Sequence, residues 1–589
     1  MDITDGANMK QHQNMKMIVR LTRTKFRPMA FSLVVGCISL VSAAKASPTN
    51  TPPTAPTGYQ WQLVPVASAA TNVAPAAPAT PPGPGVTGRH AHESFWKRFE
   101  DANLEALGTP ACPNPSYMPA PPTGTNAPST RRGNPAPFDA PPYPNGEWQI
   151  GGTETIGDQN LTPDYPLMQA IYDGPNGQAW RDSRIKIYGW EDFSGNISTS
   201  HATGVNPLNG QAANFPVGYD QRPNDVEQNQ IVLYVERTPD ENQVDHADWG
   251  FRMSALYGLD YRYMISRGWD SDQLLKKNDF TGFDSPMMYA DLYIPQVADG
   301  LNLTLGRIIS EADIEAQLAP NNLMSSHSLL YTYDPYCQWG LFGTLKLNKN
   351  WIVQAGISAG NDVTPWEVQD PGCQPTGSVM FQYQSDNNKF SFYGGANAFN
   401  NATWGFNNIQ QYVGTLTYKF NERWWTSHET WYMYQENCPG QTGGPGSTAA
   451  NPVPVGASDE PVGQGTPAYG GYQGYTDGQI PVHPGYADEW ATLNYTMYRL
   501  GPNIFLTFRN ELFDDNDGNR TGYATLYSEH SIGLTWWPSS LITVRPEIRY
   551  DRAYGTHGTA IDPVDEAKPF DNGSRRQQVV ASIDIIYHF

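Results

Sequence analysis

The chain has 589 residues, of which 16% are charged and 12% aromatic, with 33 Tyr, 22 Phe and 17 Trp beside 55 Gly and 50 Pro. Charge this far below the roughly 25% of an average globular protein, with so many aromatics and turn formers, suits a β-barrel with aromatic girdles, although a large soluble sandwich or propeller shares that composition. The formal net charge of −21 argues against a nucleic-acid binder, which needs basic patches.

At the N-terminus, Lys16, Arg20, Arg23, Lys25 and Arg27 precede an apolar run over 29–41, and Ala44-Lys45-Ala46 follows. This is the layout of a secretory signal over residues 1–46, too short for a membrane span, with Met15 or Met17 as alternative starts. Val34-Val35-Gly36-Cys37 faintly resembles a lipoprotein cleavage box, but the apolar run continues past Cys37. Beyond residue 46 the chain keeps 30 basic and 56 acidic residues. Along a pore that excess would favour cations, whereas in solvated loops it would select nothing. Residues 47–88 are Pro, Ala, Thr and Gly with almost no charge, a disordered linker. Residues 89–108 predict a short amphipathic helix with Phe95, Phe99, Leu104 and Leu107 on one face and Gly108 as its stop. Two placements suit it, a periplasmic helix on a barrel rim or a plug in the lumen. Residues 109–180 return to Pro-rich irregular chain.

No later stretch reaches the roughly eighteen apolar residues of a transmembrane helix, so membrane insertion would require a closed barrel. From residue 181 the texture is one of alternating strands. Ile185, Ile187 and Gly189 oppose Lys186, Tyr188 and Trp190; Ile231, Leu233 and Val235 oppose Gln230, Val232, Tyr234 and Glu236. A long strand from Trp249 sets Trp249, Phe251, Met253, Ala255, Tyr257 and Leu259 against Arg252, Ser254, Gly258, Asp260 and Arg262. Further strands are predicted over 286–294, 300–309, 341–348, 351–359, 378–384, 389–397, 408–420 and 424–435. A Gly/Pro/Thr-rich loop over 438–488 separates these from 490–498, 504–513, 524–537, 541–551 and 576–589. Short and long connections alternate, as periplasmic turns and extracellular loops of a barrel do. The reading is all-β: a transmembrane antiparallel barrel of 16 strands, with 14 or 18 as alternatives.

The last strand shows the pattern most clearly. Val579, Ala581, Ile583, Ile585, Tyr587 and Phe589 share one face, and Gln578, Ser582, Asp584 and His588 the other. It is predicted to close the barrel against the first strand near Arg184, with Tyr587 and Phe589 as a signal for the outer-membrane assembly machinery.

An Arg or Lys facing lipid at mid-membrane costs about 2–4 kcal/mol, so charged rows must face the lumen. Thr543, Arg545, Glu547, Arg549 and Asp551 form one such row, and Phe505, Thr507, Arg509, Glu511 and Phe513 another. Arg252, Asp260, Arg262, Asp291 and Glu429 are further pore-lining candidates. These charges would either set up a transverse field that selects solutes or form neutralised pairs packing the wall. Residues 310–328 break the strand pattern: Ser310 can cap a short acidic helix ended by Pro320, and Glu311, Asp313 and Glu315 would form a constriction if it folds inward. A surface loop is the alternative.

Cys112, Cys337, Cys373 and Cys438 match no zinc spacing, and a disulfide between Cys373 and Cys438 in their Gly/Pro-rich loops is compatible with export. His327-Ser328 has no base and orienter that the sequence establishes, there is no G-x-S-x-G, and Asp514 to Asn519 fails the calcium-loop spacing. No catalytic residue, metal or cofactor is predicted.

Several blocks resemble a known family: Ile185-Lys186-Ile187-Tyr188-Gly189-Trp190, Glu236-Arg237-Thr238-Pro239-Asp240, Leu256-Tyr257-Gly258-Leu259-Asp260-Tyr261-Arg262-Tyr263, Asp313-Ile314-Glu315-Ala316-Gln317-Leu318-Ala319-Pro320-Asn321-Asn322 and His327-Ser328-Leu329-Leu330-Tyr331. Together they resemble the beta-barrel porin-2 (OmpL-like) family. The likeness is close over residues 130–440 and looser in the C-terminal strands. It implies a porin-like barrel in a bacterial outer membrane, embedded in lipid, and it carries over no catalytic residue or substrate. The functional expectation is passive diffusion of small hydrophilic solutes with cation preference, as a monomer or a homo-oligomer. The alternative is a non-conducting structural or ligand-binding barrel.

Overall fold

The computed structural model describes residues 92–109, 156, 163–203, 213–270, 281–309, 313–367, 374–438, 485–554 and 568–589, apart from 265, 336, 388, 404–407, 422, 519 and 522. The signal over 1–46, the linker over 47–88, most of 109–180, Ser310, Glu311 and most of the 438–488 loop lie outside the described residues, as do Cys112 and Cys373. Cys337 is a buried free thiol.

Alternating polar and apolar side chains produce one antiparallel sheet closed on itself. Its strands are β1 (Ile185–Ser198), β2 (Val226–Arg237), β3 (Asp248–Gly258), β4 (Gly282–Asp284), β5 (Met288–Ile294), β6 (Leu301–Ile309), β7 (Cys337–Lys346), β8 (Trp351–Asn361) and β9 (Thr376–Gln384). They continue with β10 (Phe390–Phe399), β11 (Gln410–Asn421), β12 (Trp424–Cys438), β13 (Gly485–Gly501), β14 (Ile504–Asp515), β15 (Thr525–Ser539), β16 (Ile542–Ala553) and β17 (Gln577–His588). Both β4 and β5 pair with β3, β4 against Leu256–Gly258 and β5 against Asp248–Met253. They are two pieces of one stave, so the barrel has sixteen staves. β17 pairs with β1 from Trp190↔His588 to Ser198↔Val580 and closes it.

The outward side chains include Phe193, Leu233, Trp249, Leu341, Phe381, Leu512, Ile548 and Ile585, all exposed. A water-soluble surface does not carry so continuous an apolar belt, whereas a lipid-facing one requires it. Among the described residues no helix is long and apolar enough to cross a membrane. On β17 the alternation holds to the end. Gln578, Val580, Ser582, Asp584, Ile586 and His588 are buried, and Phe589 exchanges backbone hydrogen bonds of 3.0 and 3.2 Å with Gly189. The absence of a side chain at Gly189 is required there, because a Cβ would lie 2.1 Å from Val232 O and 2.6 Å from Cζ of the Phe589 ring.

The strand from Trp249 was expected to run through Arg262, but it ends at Gly258, whose φ of +155° is closed to other L-residues. There the chain turns into a 3₁₀ segment, Leu259–Tyr263, in which Asp260 and Arg262 are buried without belonging to a strand row. Helix α1 (Phe95–Leu107), capped by Ser94, has Arg98, Ala102 and Ala106 as its buried face, not the face with Leu104 and Leu107, which are exposed. The small alanines admit close approach, and Arg98 Nε donates to Ala170 O of helix α2 (Pro166–Tyr172) at 2.9 Å. α1 rests on the rim that carries the short turns, where Ser540 Oγ donates to Ala106 O at 3.1 Å and the Tyr587 hydroxyl donates to Asn103.

Candidate functional site: the inner wall and the segment it holds

Between β6 and β7 the chain turns into the barrel. From Asp313 to Asp334 almost every residue is buried. The acidic helix expected here is not formed. Asp313–Leu318 is irregular, Pro320 lies in a 3₁₀ turn (Ala319–Asn321), and the only α-helix of the segment is α3 (Leu329–Thr332), capped by Ser328. The physical reason is the partners available. Buried backbone groups must be bonded, and in this segment the wall does what an i−4 carbonyl would do in a helix. Glu429 accepts from Ile314 N at 2.7 Å, Glu547 from Ser326 N at 3.0 Å, and Glu511 from Leu329 N at 2.8 Å and from Leu330 N. In the other direction Arg545 Nη1 donates to Ala319 O and Asn322 O at 2.7 and 2.8 Å, Arg509 Nη1 to Ser326 O at 2.6 Å, and Arg549 Nη1 to His327 O. The segment is thereby stitched to β12, β14 and β16 by charge-assisted bonds, stronger than neutral ones.

The charged rows are neutralised pairs as well as anchors. Arg509, fully buried, lies 3.1 Å from Glu315, 3.0 Å from Glu529 and 3.3 Å from Glu547. Arg545 pairs with Asp584, and Arg549 with Asp551 at 2.7 Å. Removing one member of such a buried set leaves an uncompensated charge, which is far more costly than losing an exposed pair. Glu315 also accepts from Ser328 Oγ at 2.7 Å and from the Tyr495 hydroxyl.

The other candidates are dispersed. Arg252 pairs with Glu236 at 2.6 Å on β2 and β3. Asp260 accepts from Gln230 Nε2 at 2.7 Å. Asp291 is half-buried and accepts from Thr304 Oγ1 at 2.6 Å. His327 has its ring 3.7 Å from the Tyr219 ring, and its Nε2 is 2.9 Å from Ala316 O. Because a carbonyl only accepts, Nε2 carries the proton. Burial pushes this histidine down to about 3, so it stays neutral. Ser328 Oγ is committed to Glu315 and to capping α3, so the pair is no nucleophile and base.

Several interior acids escaped the sequence reading: Asp192, Asp220, Glu227, Asp334, Glu489 and Glu529 are all buried. Glu529 and Asp192 sit on inward positions of β15 and β1, and extending the period-two rows along those strands would have found them. Asp220 and Asp334 lie in connections, where no period exists to follow. Twenty acidic and ten basic side chains are buried among the described residues, so acids outnumber bases among the buried ionisable groups.

The chain matches no curated protein. Among solved structures it is similar to the outer membrane channel DcaP of Acinetobacter baumannii, at 12% identity over 69% of this chain and 97% of that one, with a TM-score of 0.38. It is also similar to the anion-selective porin from Comamonas acidovorans, at 10% identity over 69% and 99%, with a TM-score of 0.38. A triple mutant of Rhodopseudomonas blastica porin matches at 10% identity over 69% and 100%, with a TM-score of 0.34. Residues 185–589, from the first strand to the last residue, match the family model described as "Putative beta-barrel porin-2, OmpL-like", and the chain belongs to that family of outer-membrane barrels.

Proposed function

We propose that the protein is a passive diffusion channel that passes small hydrophilic solutes, prefers cations and is narrowed by its own segment 313–334. The observation that carries this reading is that segment, folded between strands whose buried side chains include thirteen acids against seven Lys or Arg among the described residues. A negative lumen lowers the energy of a cation in transit and raises that of an anion. No chemistry on the solute enters the reading. The experiment is single-channel recording of purified protein in planar bilayers, followed by reversal potentials in a salt gradient. Steady ohmic steps with a cation-selective potential are expected. Glu511→Gln with Glu547→Gln is expected to lower the cation-over-anion permeability ratio, and an unchanged potential would remove both residues from the selective path.

A second reading, a plugged barrel that binds a partner or acts structurally, draws on the apolar side of the same segment. Ile314, Leu323, Met324, Leu329 and Leu330 share one buried cluster with Trp425, Trp431 and Phe513. Absence of conductance, even after deletion of residues 47–107, would favour it. In either reading Phe589 and Tyr587 serve assembly. Deleting Phe589 is expected to reduce the yield of folded, heat-modifiable barrel before it alters conductance, and a normal yield would refute that role.

A further inference from the structure

The two legs of the inward segment meet at one spot on the wall. Asp313 stands on the incoming leg, Asp334 on the outgoing leg and Glu429 on β12, and all three are fully buried. The Asp313 carboxyl is in hydrogen-bonding contact with the carboxyls of both Asp334 and Glu429. Of the six oxygens, only Glu429 Oε2 receives a protein donor, the Ile314 N–H; the other five receive none. The other titratable groups that face the cluster are Glu315 and the Tyr331 hydroxyl from the segment and Asp362 from the end of β8, each acidic. Three touching carboxylates, buried and with no Lys, Arg or His among the groups that face them, would repel one another strongly. Protons on the carboxyls themselves would supply the donors that the protein does not, as in paired carboxyls elsewhere. Among the described residues, no group of His, Cys, Asp and Glu is arranged to hold a metal ion.

We propose that Asp334 and Glu429 are carboxylic acids whose O–H groups donate to the Asp313 carboxylate, forming a proton-held clasp that keeps both legs of segment 313–334 against β12. Burial pushes Asp313 up to about 6 and, with the neighbouring Asp313 charge, holds Asp334 well above ordinary carboxylates. Conditions near neutral keep the clasp shut. Loss of the two protons as pH rises turns two hydrogen bonds into three mutually repelling charges, and the segment is released from β12. Each proton lost shifts the released population by about tenfold per pH unit. The clasp therefore makes the channel's narrowing pH-dependent, a consequence that rests on the channel reading.

The test titrates full-length protein from about pH 5 to about pH 10 by two readouts, conductance in bilayers and the infrared C=O stretch of protonated carboxyls. The double variant Asp334→Asn with Glu429→Gln replaces each acid by an amide of the same size that donates without titrating. Wild-type conductance is expected to step upward with pH as the acid C=O band disappears. The double variant, verified as folded by its heat-modifiable migration, should lack both the step and that part of the band. A wild type without the band at neutral pH, or a double variant whose band is as intense as that of the wild type, overturns the clasp. So does a step that follows added calcium and is removed by chelator at fixed pH. If no conductance is seen at any pH, the channel reading fails while the infrared band still decides the clasp.

Discussion

The inner wall built by β14–β17 carries Arg509, Glu511, Glu529, Arg545, Glu547, Arg549, Asp551 and Asp584, whereas the wall of β8–β11 is almost neutral, with Gln354, Ser358, Ser378, Gln382, Ser391 and Thr415 buried beside a single charge, Lys419 at the end of β11. The neutral wall draws its side-chain bonds from its own neighbours, while the buried Ser378 and Ser391 hydroxyls have no hydrogen-bond partner among the described residues. Gln354 Nε2 donates to Thr344 Oγ1 at 3.2 Å, the Tyr393 hydroxyl donates to Gln354 Oε1 at 3.2 Å, and Asn397 Nδ2 donates to Gln411 at 2.6 Å. The charged wall cannot be satisfied this way, because a guanidinium has five donors and a carboxylate about four acceptor sites. Its surplus capacity is met by the backbone of segment 313–334. A charged row in this barrel is therefore a docking surface for the chain itself, while a row of amides and hydroxyls only knits adjacent strands.

The contrast can be broken most directly at Arg509. Replacing it by Met leaves Glu315, Glu529 and Glu547 without their shared cation, and urea unfolding in micelles is expected to register a loss of about 3–5 kcal/mol. A loss below about 1 kcal/mol would erase the distinction between the walls.

A second prediction uses pH. Asp220, in the connection after β1, is pushed up to about 7 by burial and then by the nearby Glu547 charge. An acid with a raised native pKa favours the folded state while it keeps its proton and loses that advantage as pH rises through the native value. Between an ordinary carboxyl near 4 and the native value near 7 the unfolded chain ionises first. Stability is expected to fall across that window by a few kcal/mol, about 2 or more. Asp220→Asn should flatten this part of the curve, and a variant with the wild-type slope would show that Asp220 does not hold its proton. The smallest effect belongs to the neutral wall: Gln354→Leu, which removes one amide from a mutually bonded set, is expected to cost about 1 kcal/mol in the same assay. A cost matching that of Arg509→Met would again dissolve the contrast.

Much of this architecture is legible in the chain because lipid and lumen impose opposite polarity on alternate positions. Thr543, Arg545, Glu547, Arg549 and Asp551 are all buried on β16, while Ile548 is exposed. The period fails where chain leaves the sheet. Asp260 and Arg262 continue the alternation of β3 in sequence, yet Gly258 has already turned the backbone out of the strand. The segment after β6 has helix-forming residues and a plausible cap, but its helix would have needed backbone partners that Glu429, Glu511 and Glu547 supply instead. Propensity counts only local bonds, and these partners stand more than a hundred residues away.

Side-chain alternation under a fixed pair of solvents is enough to place most of the strands, their inward and outward faces and the closing role of β17. Only the tertiary structure decided that the segment 313–334 enters the barrel, that the charged rows are spent in pairs and on its backbone, and that Asp313, Asp334 and Glu429 converge. The reason is range. Alternation is read between neighbours two residues apart, whereas a buried charge is settled by whichever distant group closure of the barrel brings within about 3 Å of it.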